Sequence, residues 1–451
     1  MADPFVIVGG DAAGMSAASK AKREDPDREV IAFEQGDWVS YAACGMPYFV
    51  KGDIERLDDL VQVTAEEFRE ERDIDLRTNH EVVDIDTEAK TVTVSTDDGD
   101  TLEQAYGDLL LGTGASAIEP PFPGLDLEGV FTIHDMDEAG AIEQYVSESG
   151  AESAAIVGGG YVGIEMAEAL DARGLSVQLF EMLPHVLQPF GESVAEVVED
   201  HLTEQGVDLH LDTAVEGFAG DDAVRAVDVE DGASVDADVV IVGVGVAPNT
   251  DLAESAGIDV GPTGAIATDE YGRTNAEDVY AAGDCADATN VVTGEPDHVP
   301  LALTANRAGR AIGQTVTGSP TEVGEIAGTA IVKAFDLGAA RTGIVDEDEA
   351  REAGFDPVSV EIQAPARAHY YPGATELTVT LLADRESKRV LGGSVVGREG
   401  AKRIDTIATA LSAGLTVEEL QNLDLAYAPP FSPVWDPVLT AGRVLLSKLD
   451  G

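Results

Sequence analysis

Residues 5–14 read FVIVGGDAAG, an apolar run that ends in a glycine-rich turn. An Ala-, Ser- and Lys-rich segment follows, and a second apolar run, VIAF at residues 30–33, leads into Glu34. This order predicts a strand, a tight turn, a helix and a second parallel strand. Glu34 lies about 20 residues after Gly14, the spacing of a βαβ unit that binds a dinucleotide. In such a unit the pyrophosphate sits at the helix N-terminus, and the acid accepts hydrogen bonds from ribose hydroxyls.

A second segment repeats this plan. Residues 154–163 read AAIVGGGYVG, and the later run VQLF at 177–180 leads into Glu181. Two such units predict an α/β fold with two Rossmann-like, three-layer domains. The first turn departs from the pattern because Asp11 occupies its middle glycine position. A carboxylate is a poor neighbour for a pyrophosphate, so we expect the Asp11 side chain to point away from it.

The remaining chain suggests how these units are joined. Gly-x-Gly segments end two further apolar runs, at residues 109–115 and 241–249, and a strand-like run ends in Gly-Asp at 280–284. From about residue 323 the pattern alternates, with a strand expected at 377–381 and a helix at 402–413, which indicates a third, α+β domain. The predicted division is 1–115 with 246–322, then 116–245, then 323–451.

Composition excludes several classes of protein. The 451 residues include 27 Lys and Arg against 86 Asp and Glu, for a formal net charge of −59, yet 44% of the chain is hydrophobic. That hydrophobicity argues against disorder, and the charge argues against nucleic acid and anionic membrane surfaces as partners. Because the acidic residues are spread along the whole chain, we interpret them as an adaptation to a salt-rich, halophilic cytoplasm.

Cysteine content and hydropathy also indicate a cytoplasmic location. Two cysteines, Cys44 and Cys285, are too few for a disulfide scaffold and suit a reducing compartment. No basic segment precedes the first apolar run as in a signal peptide, and no run has the ~18 apolar residues of a membrane span. We expect no metal site.

These motifs carry a resemblance to the flavoprotein disulfide reductases with two dinucleotide-binding domains, and it covers nearly the whole chain. The resemblance implies FAD in the first unit, NAD(P)H in the second, and a C-terminal domain that forms a homodimer. The implied FAD contacts are Gly9, Gly10, Ala13, Gly14, Glu34, Thr113, Gly114 and Asp284. The implied NAD(P)H contacts are Gly158, Gly160, Tyr161, Gly163 and Glu181. It also implies that Tyr161 gates the nicotinamide face and that Glu165 lies near the flavin.

Residues 40–49, SYAACGMPYF, indicate the branch of that family. Members with an internal dithiol have a second cysteine five positions after the first, where this chain has Phe49. The single-cysteine branch contains coenzyme A disulfide reductases, NADH peroxidases and NADH oxidases. The last two typically have a histidine in the first glycine turn, where this chain has Ala12, so the sequence is most similar to coenzyme A disulfide reductase. By that resemblance, Tyr371 and Tyr427 act near the thiol substrate bound by the partner subunit.

The proposed chemistry centres on Cys44 as a thiolate. A position at the start of a helix should lower its pKa. Without a resolving cysteine, its oxidised form should be a mixed disulfide with a small thiol, or a sulfenic acid if the acceptor is peroxide or oxygen. Cys285, within the Gly-Asp motif, is interpreted as structural.

Substrate recognition rests on charge. Lys20, Lys22 and Arg23 cluster on the first helix and could pair with the phosphates of coenzyme A. Glu181 should bind a free 2′-hydroxyl and repel a 2′-phosphate, which favours NADH over NADPH, although His185 could soften that preference. Two alternatives stay open, an NADH oxidase or peroxidase and a flavin-bound redox sensor with slow turnover.

Overall fold

A computed structural model of the chain describes residues 3–230 and 232–451. The strands are β1 (Phe5–Val8), β2 (Val30–Phe33), β3 (Asp75–Arg77), β4 (His80–Asp86), β5 (Thr91–Thr96), β6 (Thr101–Ala105), β7 (Asp108–Leu111), β8 (Ala115–Ala117), β9 (Val130–Thr132), β10 (Ser153–Val157), β11 (Ser176–Phe180), β12 (Asp208–His210), β13 (Val215–Gly220), β14 (Val224–Val229), β15 (Ser234–Asp236), β16 (Val239–Val242), β17 (Val246–Pro248), β18 (Val279–Ala281), β19 (Ala288–Thr289), β20 (Pro296–Asp297), β21 (Ala330–Ala334), β22 (Leu337–Gly343), β23 (Pro357–Pro365), β24 (Glu376–Asp384) and β25 (Val390–Gly397). The α-helices are α1 (Ala12–Glu24), α2 (Met46–Lys51), α3 (Ala65–Glu70), α4 (Met136–Glu148), α5 (Tyr161–Ala172), α6 (Glu192–Gln205), α7 (Asp251–Ser255), α8 (Ala302–Thr315), α9 (Glu347–Glu352), α10 (Ile404–Ser412), α11 (Val417–Leu420) and α12 (Pro437–Asp450).

The first sheet is parallel, with the strand order β18-β7-β1-β2-β3. All four residues of β1 are buried because α1 and α8 cover one face of the sheet and β4 and β5 cover the other. Burial on both faces explains why the strand reads as an unbroken apolar run. Strand β18 joins the sheet from far along the chain, beyond the whole of the second sheet.

The second sheet repeats this arrangement, with the order β12-β11-β10-β16-β9, all parallel. Helices α4, α5 and α6 cover one face, and the antiparallel strands β13–β15 cover the other. The predicted fold class, two Rossmann-like units and a third unit, is therefore confirmed.

The third unit is an antiparallel sheet of order β21-β22-β25-β24-β23, packed against α10, α11 and α12. The strand expected at 377–381 lies within β24, and the helix expected at 402–413 contains α10. The residue limits of the three domains stay a prediction.

Helix α2 follows β2 of the first sheet in the sequence, but it packs against helices of the second sheet. Its buried residues Met46, Phe49 and Val50 belong to the core that contains Met136 of α4 and Ile164 of α5. The segment after Cys44 thus shares a hydrophobic core with the second sheet's helices. Among the described residues, no helix is long and apolar enough to cross a membrane.

Candidate active site

The first glycine turn connects β1 to α1 through a conformation that requires glycine. Gly9 has a φ of +107°, and a Cβ on Gly14 would lie 2.0 Å from the Gly9 carbonyl oxygen. At the end of β2, Glu34 accepts hydrogen bonds from the backbone N–H groups of Gly10 (2.7 Å) and Gly36 (2.8 Å). Burial raises the pKa of the Glu34 carboxyl. The carboxylate therefore lies directly beside the turn, as the spacing predicts.

Asp11 directly precedes α1, and its expected orientation away from a pyrophosphate stays a prediction. It occupies the N-cap position but makes no side-chain hydrogen bond to the helix. Its Oδ1 instead accepts the N–H of Tyr41 at 3.2 Å, and burial raises the pKa of Asp11 to about 6. Without a capping side chain, the N-terminus of α1 fits a bound pyrophosphate.

The second turn has the same design. Gly158 has a φ of +107°, and Gly160, at the N-cap position of α5, supplies no side-chain cap. Glu181 accepts hydrogen bonds from the N–H groups of Gly159 (2.7 Å) and Leu183 (2.9 Å). The ring of Tyr161 packs edge-on against Phe190, with ring centroids 5.4 Å apart. Both turns therefore fit dinucleotides through a free helix N-terminus and an oriented carboxylate.

Cys44 is exposed and lies in a short 3₁₀ helix, Ala43–Gly45, that leads into α2. The expected lowering of its pKa is wrong for this chain. Although the residue as a whole is exposed, partial burial of its sulfur raises the pKa of the Cys44 thiol, and the nearby carboxylate of Glu165 raises it further. A six-residue helix supplies too little positive potential to offset these two effects.

Glu165 is the carboxylate with the largest effect on the pKa of the Cys44 thiol. The phenol of Tyr48 donates a hydrogen bond of 3.0 Å to Glu165 Oε1. Burial raises the pKa of Glu165 to about 7, although the hydrogen bond from Tyr48 opposes that rise. Glu165 can therefore hold or release a proton near neutral pH. Tyr48 lies within the Cys44 motif, but no local pattern marks it as a site residue.

Asp284 and Thr113 lie at the carboxyl ends of neighbouring strands of the first sheet. Asp284 follows β18, its backbone carbonyl contacts His298 Nε2 at 2.8 Å, and burial raises the pKa of its side chain. The Thr113 hydroxyl donates to the carbonyl of Asn249 at 2.7 Å, where the chain crosses between the two Rossmann-like units. Ligands of open α/β sheets bind at this edge.

Cys285 is fully buried. Its thiol is 3.5 Å from the carbonyl oxygens of Leu111 and Ala282. A thiol enclosed in this way is unsuited to disulfide exchange.

The three basic residues of α1 do not act as one cluster, because two of them are paired with acidic side chains. Lys20 is only 9% exposed and pairs with Glu24, while Lys22 pairs with Asp73 at 2.6 Å. Arg23 alone faces a groove of about 290 Å³. The groove is lined by Ala12, Met15, Ser16, Ser19, Arg23, Ser40, Val63, Phe68, Arg72, Asn306 and Arg310. Arg72 and Arg310, which sequence reasoning missed, come from distant segments.

Tyr371 and Tyr427 lie on two loops of the third unit. The same two loops carry Tyr370, Phe431 and Trp435, and we call these five residues, which are 36–76% exposed, the aromatic patch. Arg403 joins the loops. It donates to the carbonyl oxygens of Ala366 (2.7 Å) and Phe431 (2.9 Å) and pairs with Asp436 at 2.7 Å. Among the described residues, no hydrogen bond links either tyrosine to the Cys44 segment.

Comparison with known proteins agrees with this arrangement. Residues 3–309 match the family model described as pyridine nucleotide-disulphide oxidoreductase, and residues 329–437 match the dimerisation domain of the same family. The NAD(P)H coenzyme A polysulfide/persulfide reductase of Pyrococcus horikoshii is 40% identical over 446 residues, which cover 99% of each chain. The coenzyme A disulfide reductase of Staphylococcus haemolyticus is 32% identical over 441 residues, 97% of this chain and 98% of the relative.

A solved structure supports the same relationship. The NAD-dependent persulfide reductase of A. fulgidus has a TM-score of 0.96 at 40% identity, and the match covers 99% of this chain and 84% of that one. The resemblance stated from the motifs is confirmed. The chain therefore belongs to the pyridine nucleotide-disulphide oxidoreductase family, and it is an enzyme of that class.

Proposed function

We propose that this enzyme uses NAD(P)H and FAD to reduce a low-molecular-weight disulfide through Cys44, and that the substrate is coenzyme A disulfide. The observation that carries the proposal is an exposed thiol beside Glu165, while the chain's other cysteine is fully buried. With no second reactive protein thiol, the oxidised partner of Cys44 must come from the substrate.

The proposed cofactor sites are the two glycine turns. Gly9, Gly10, Ala13, Gly14 and Glu34, with Thr113, Gly114 and Asp284, would hold FAD in a unit built from residues 1–115 and 246–322. Gly158, Gly160, Tyr161, Gly163 and Glu181 would hold NAD(P)H in residues 116–245, and residues 323–451 would form the dimerisation domain. When bound, FAD accepts a hydride from the nicotinamide and passes the electron pair to sulfur.

The sulfur chemistry is a thiol–disulfide cycle. The Cys44 thiolate attacks one sulfur of the substrate disulfide, forming a mixed disulfide and releasing the first thiolate. The electron pair from NAD(P)H then cleaves the mixed disulfide, which releases the second thiolate and restores Cys44. One NAD(P)H and one proton thus convert one disulfide into two thiols. Glu165, with its pKa raised to about 7 by burial, is suited to hold a proton beside this sulfur.

The groove beside α1 is the proposed site for the phosphates of coenzyme A. Arg23, Arg72 and Arg310 line it together with small polar side chains, in a chain whose net charge is −59. Guanidinium groups without a carboxylate partner are suited to phosphate. We assign the phosphates to Arg23 and Arg310 in place of Lys20 and Lys22, which already have partners, and Arg72 at the edge of the groove pairs with Glu67 at 2.8 Å.

A homodimer would complete the site. The aromatic patch of Tyr370, Tyr371, Tyr427, Phe431 and Trp435 lies within or next to the segment that matches a dimerisation domain. Large exposed apolar patches are typical of interaction surfaces. We propose that a second copy covers the patch and that Tyr371 and Tyr427 then donate hydrogen bonds near the thiol substrate of the other subunit.

NADH is the proposed electron donor. Glu181 is oriented by two backbone hydrogen bonds, while the ring of His185 contacts Glu199, with Nδ1 3.1 Å from its Oε1. A 2′-phosphate would therefore meet the carboxylate of Glu181 with no cationic side chain among the described residues to offset it.

A salt-rich cytoplasm is the proposed location of the enzyme. The support for it is the formal net charge of −59.

Replacing Cys44 by serine tests the proposed function. The Cys44→Ser enzyme should bind both cofactors normally but release no thiol from coenzyme A disulfide when NADH is supplied. Thiol release at the wild-type rate would overturn the proposal.

A further inference from the structure

Helices α2 and α5 are joined by three polar contacts in addition to their apolar packing. The Tyr48 phenol donates to Glu165 at 3.0 Å, and Lys51 Nζ lies 3.1 Å from Glu168 Oε1. Arg173, at the end of α5, donates to the Val50 carbonyl oxygen at 2.8 Å. We call these three contacts the α2–α5 clamp.

The spacing of the clamp matches the two helices. Tyr48 and Lys51 are three residues apart on α2, and their partners Glu165 and Glu168 are three residues apart on α5. Residues at this spacing share one face of a helix. The Tyr48–Glu165 and Lys51–Glu168 contacts therefore connect facing surfaces of the two helices, and they fix the position of one helix along the other.

Glu168 extends the clamp to the third unit of the fold. Its side chain is 8% exposed, and besides Lys51 it pairs with Lys333 of β21. Its Oε2 also accepts the backbone N–H of Phe335 at 2.8 Å. A buried carboxylate with three donors is costly to leave unpaired, so removing its charge should loosen all three attachments.

The clamp acts on the segment that carries the reactive thiol. Cys44 lies two residues before α2, and α5 begins at the second glycine turn with Tyr161. Met46, Phe49 and Val50 of α2 pack into the same core as Ile164 of α5. A shift of α2 along α5 would therefore move Cys44 relative to both Glu165 and the nicotinamide turn.

We propose that Glu168 is a positioning residue: through the α2–α5 clamp it holds Cys44 at a fixed distance from Glu165 and the second glycine turn. The inference rests on the proposed role of Cys44 but concerns the geometry around it. Glu168 contacts neither the reacting sulfur atoms nor the two proposed cofactor turns, so it would act only through the residues that it positions. Small misplacements of reacting groups cost large factors in rate, so the clamp should affect turnover more than nucleotide binding.

The test compares Glu168→Gln and Lys51→Met with a matched control, Asp108→Asn. Asp108 also belongs to a largely buried ion pair, with Arg28, but lies at the start of β7, the opposite end of the sheet from the site. For each purified holoenzyme, the rate of iodoacetamide alkylation of Cys44 is measured from about pH 6 to 10, where the thiol titrates. Fully buried Cys285 should not react.

The charges of Glu165 and Asp284 disfavour the Cys44 thiolate. Loosening the clamp should move Cys44 away from Glu165 and so favour the thiolate. We expect alkylation near neutral pH to accelerate about threefold or more in both clamp variants, with kcat falling about tenfold and the KM for NADH changing less than about twofold. Lys51→Arg should restore wild-type values, and Asp108→Asn should change neither.

Two results would overturn the inference. One is an alkylation profile in Lys51→Met and Glu168→Gln that equals the wild-type profile. The other is the same change in Asp108→Asn, which would indicate general destabilisation. If Glu168→Gln does not fold, Lys51→Met and Lys51→Arg decide alone. Alkylation needs no turnover, so this test fails or succeeds independently of the substrate proposed for the enzyme.

Discussion

The phenol of Tyr48 donates a hydrogen bond of 3.0 Å to Oε1 of Glu165, a residue 117 positions away in the sequence. This contact places a titratable carboxyl group beside the segment that begins with the exposed thiol of Cys44. Burial raises the pKa of Glu165 to about 7, and Glu165 in turn raises the pKa of Cys44. The two groups are therefore electrostatically coupled.

Glu165 should make the stability of the fold depend on pH. Its pKa in the folded chain, about 7, exceeds its ordinary value of 4.5, so folding favours the protonated form. The stability that it contributes is complete below its ordinary pKa and is lost as the pH rises through about 7. Between about pH 4.5 and 8, the free energy of unfolding of Glu165→Gln should therefore rise by about 2–3 kcal/mol relative to wild type.

Urea unfolding of both proteins at several pH values measures this difference. A constant difference across the range would contradict the assignment. Tyr48→Phe serves as the control because it removes the hydrogen bond that stabilises the carboxylate. In that variant the pKa of Glu165 should rise further and the loss of stability with pH should become larger.

The arginine groove should recognise the phosphates of the substrate. Replacing Arg310 or Arg23 by methionine should raise the KM for coenzyme A disulfide about tenfold, the value of one charge-assisted hydrogen bond of about 1.5 kcal/mol. The KM for pantethine, a disulfide of the same thiol arm without phosphates, should stay unchanged. Lys22→Met, whose wild-type partner is Asp73, should affect neither substrate. Equal effects on both disulfides would contradict phosphate binding in this groove.

Glu181 should determine the choice of nucleotide. We expect kcat/KM to be at least about tenfold higher for NADH than for NADPH, because a 2′-phosphate would face a carboxylate. Glu181→Ala should reduce that ratio, chiefly by improving the use of NADPH. Steady-state kinetics with both nucleotides measure it, and a wild-type preference for NADPH would show that the inference is wrong.

Salt should stabilise the folded chain. A formal charge of −59 makes the compact state repel itself, and molar salt shortens the screening length to about 3 Å. The Tm should therefore rise steadily as KCl increases from about 0.1 to about 2 M. Sucrose at equal osmolality is the control for effects unrelated to charge. A Tm that is unchanged or lower in KCl would argue against adaptation to high salt.

Local sequence carried enough information for the fold and the central residues. Glycine spacing, apolar runs and the acids Glu34 and Glu181 encode each βαβ unit within about 30 residues. The motif around Cys44 was equally local. In contrast, the partner of Glu165 is Tyr48, which is 117 residues away in the sequence. Arg310 and Arg23 line the same groove only because α8 packs against α1. Such contacts depend on tertiary packing, which no local pattern records.

The same limit explains the error about the thiol. The position of Cys44 before a helix is visible in the sequence and predicts a lower pKa. The partial burial of its sulfur and the charge of Glu165 depend on tertiary structure, and they raise the pKa instead. Lys22 of α1 illustrates the same limit, since its partner Asp73 lies in a distant segment.

Peptide mass analysis of the enzyme incubated with coenzyme A disulfide, without a reducing agent, tests the central claim most directly. The account predicts that the peptide containing Cys44 carries coenzyme A as a mixed disulfide, and that NADH removes it with release of one thiol. A Cys44 that gains only oxygen, trapped by dimedone as a sulfenic acid, and never carries a thiol adduct would contradict the account and favour reduction of oxygen or peroxide.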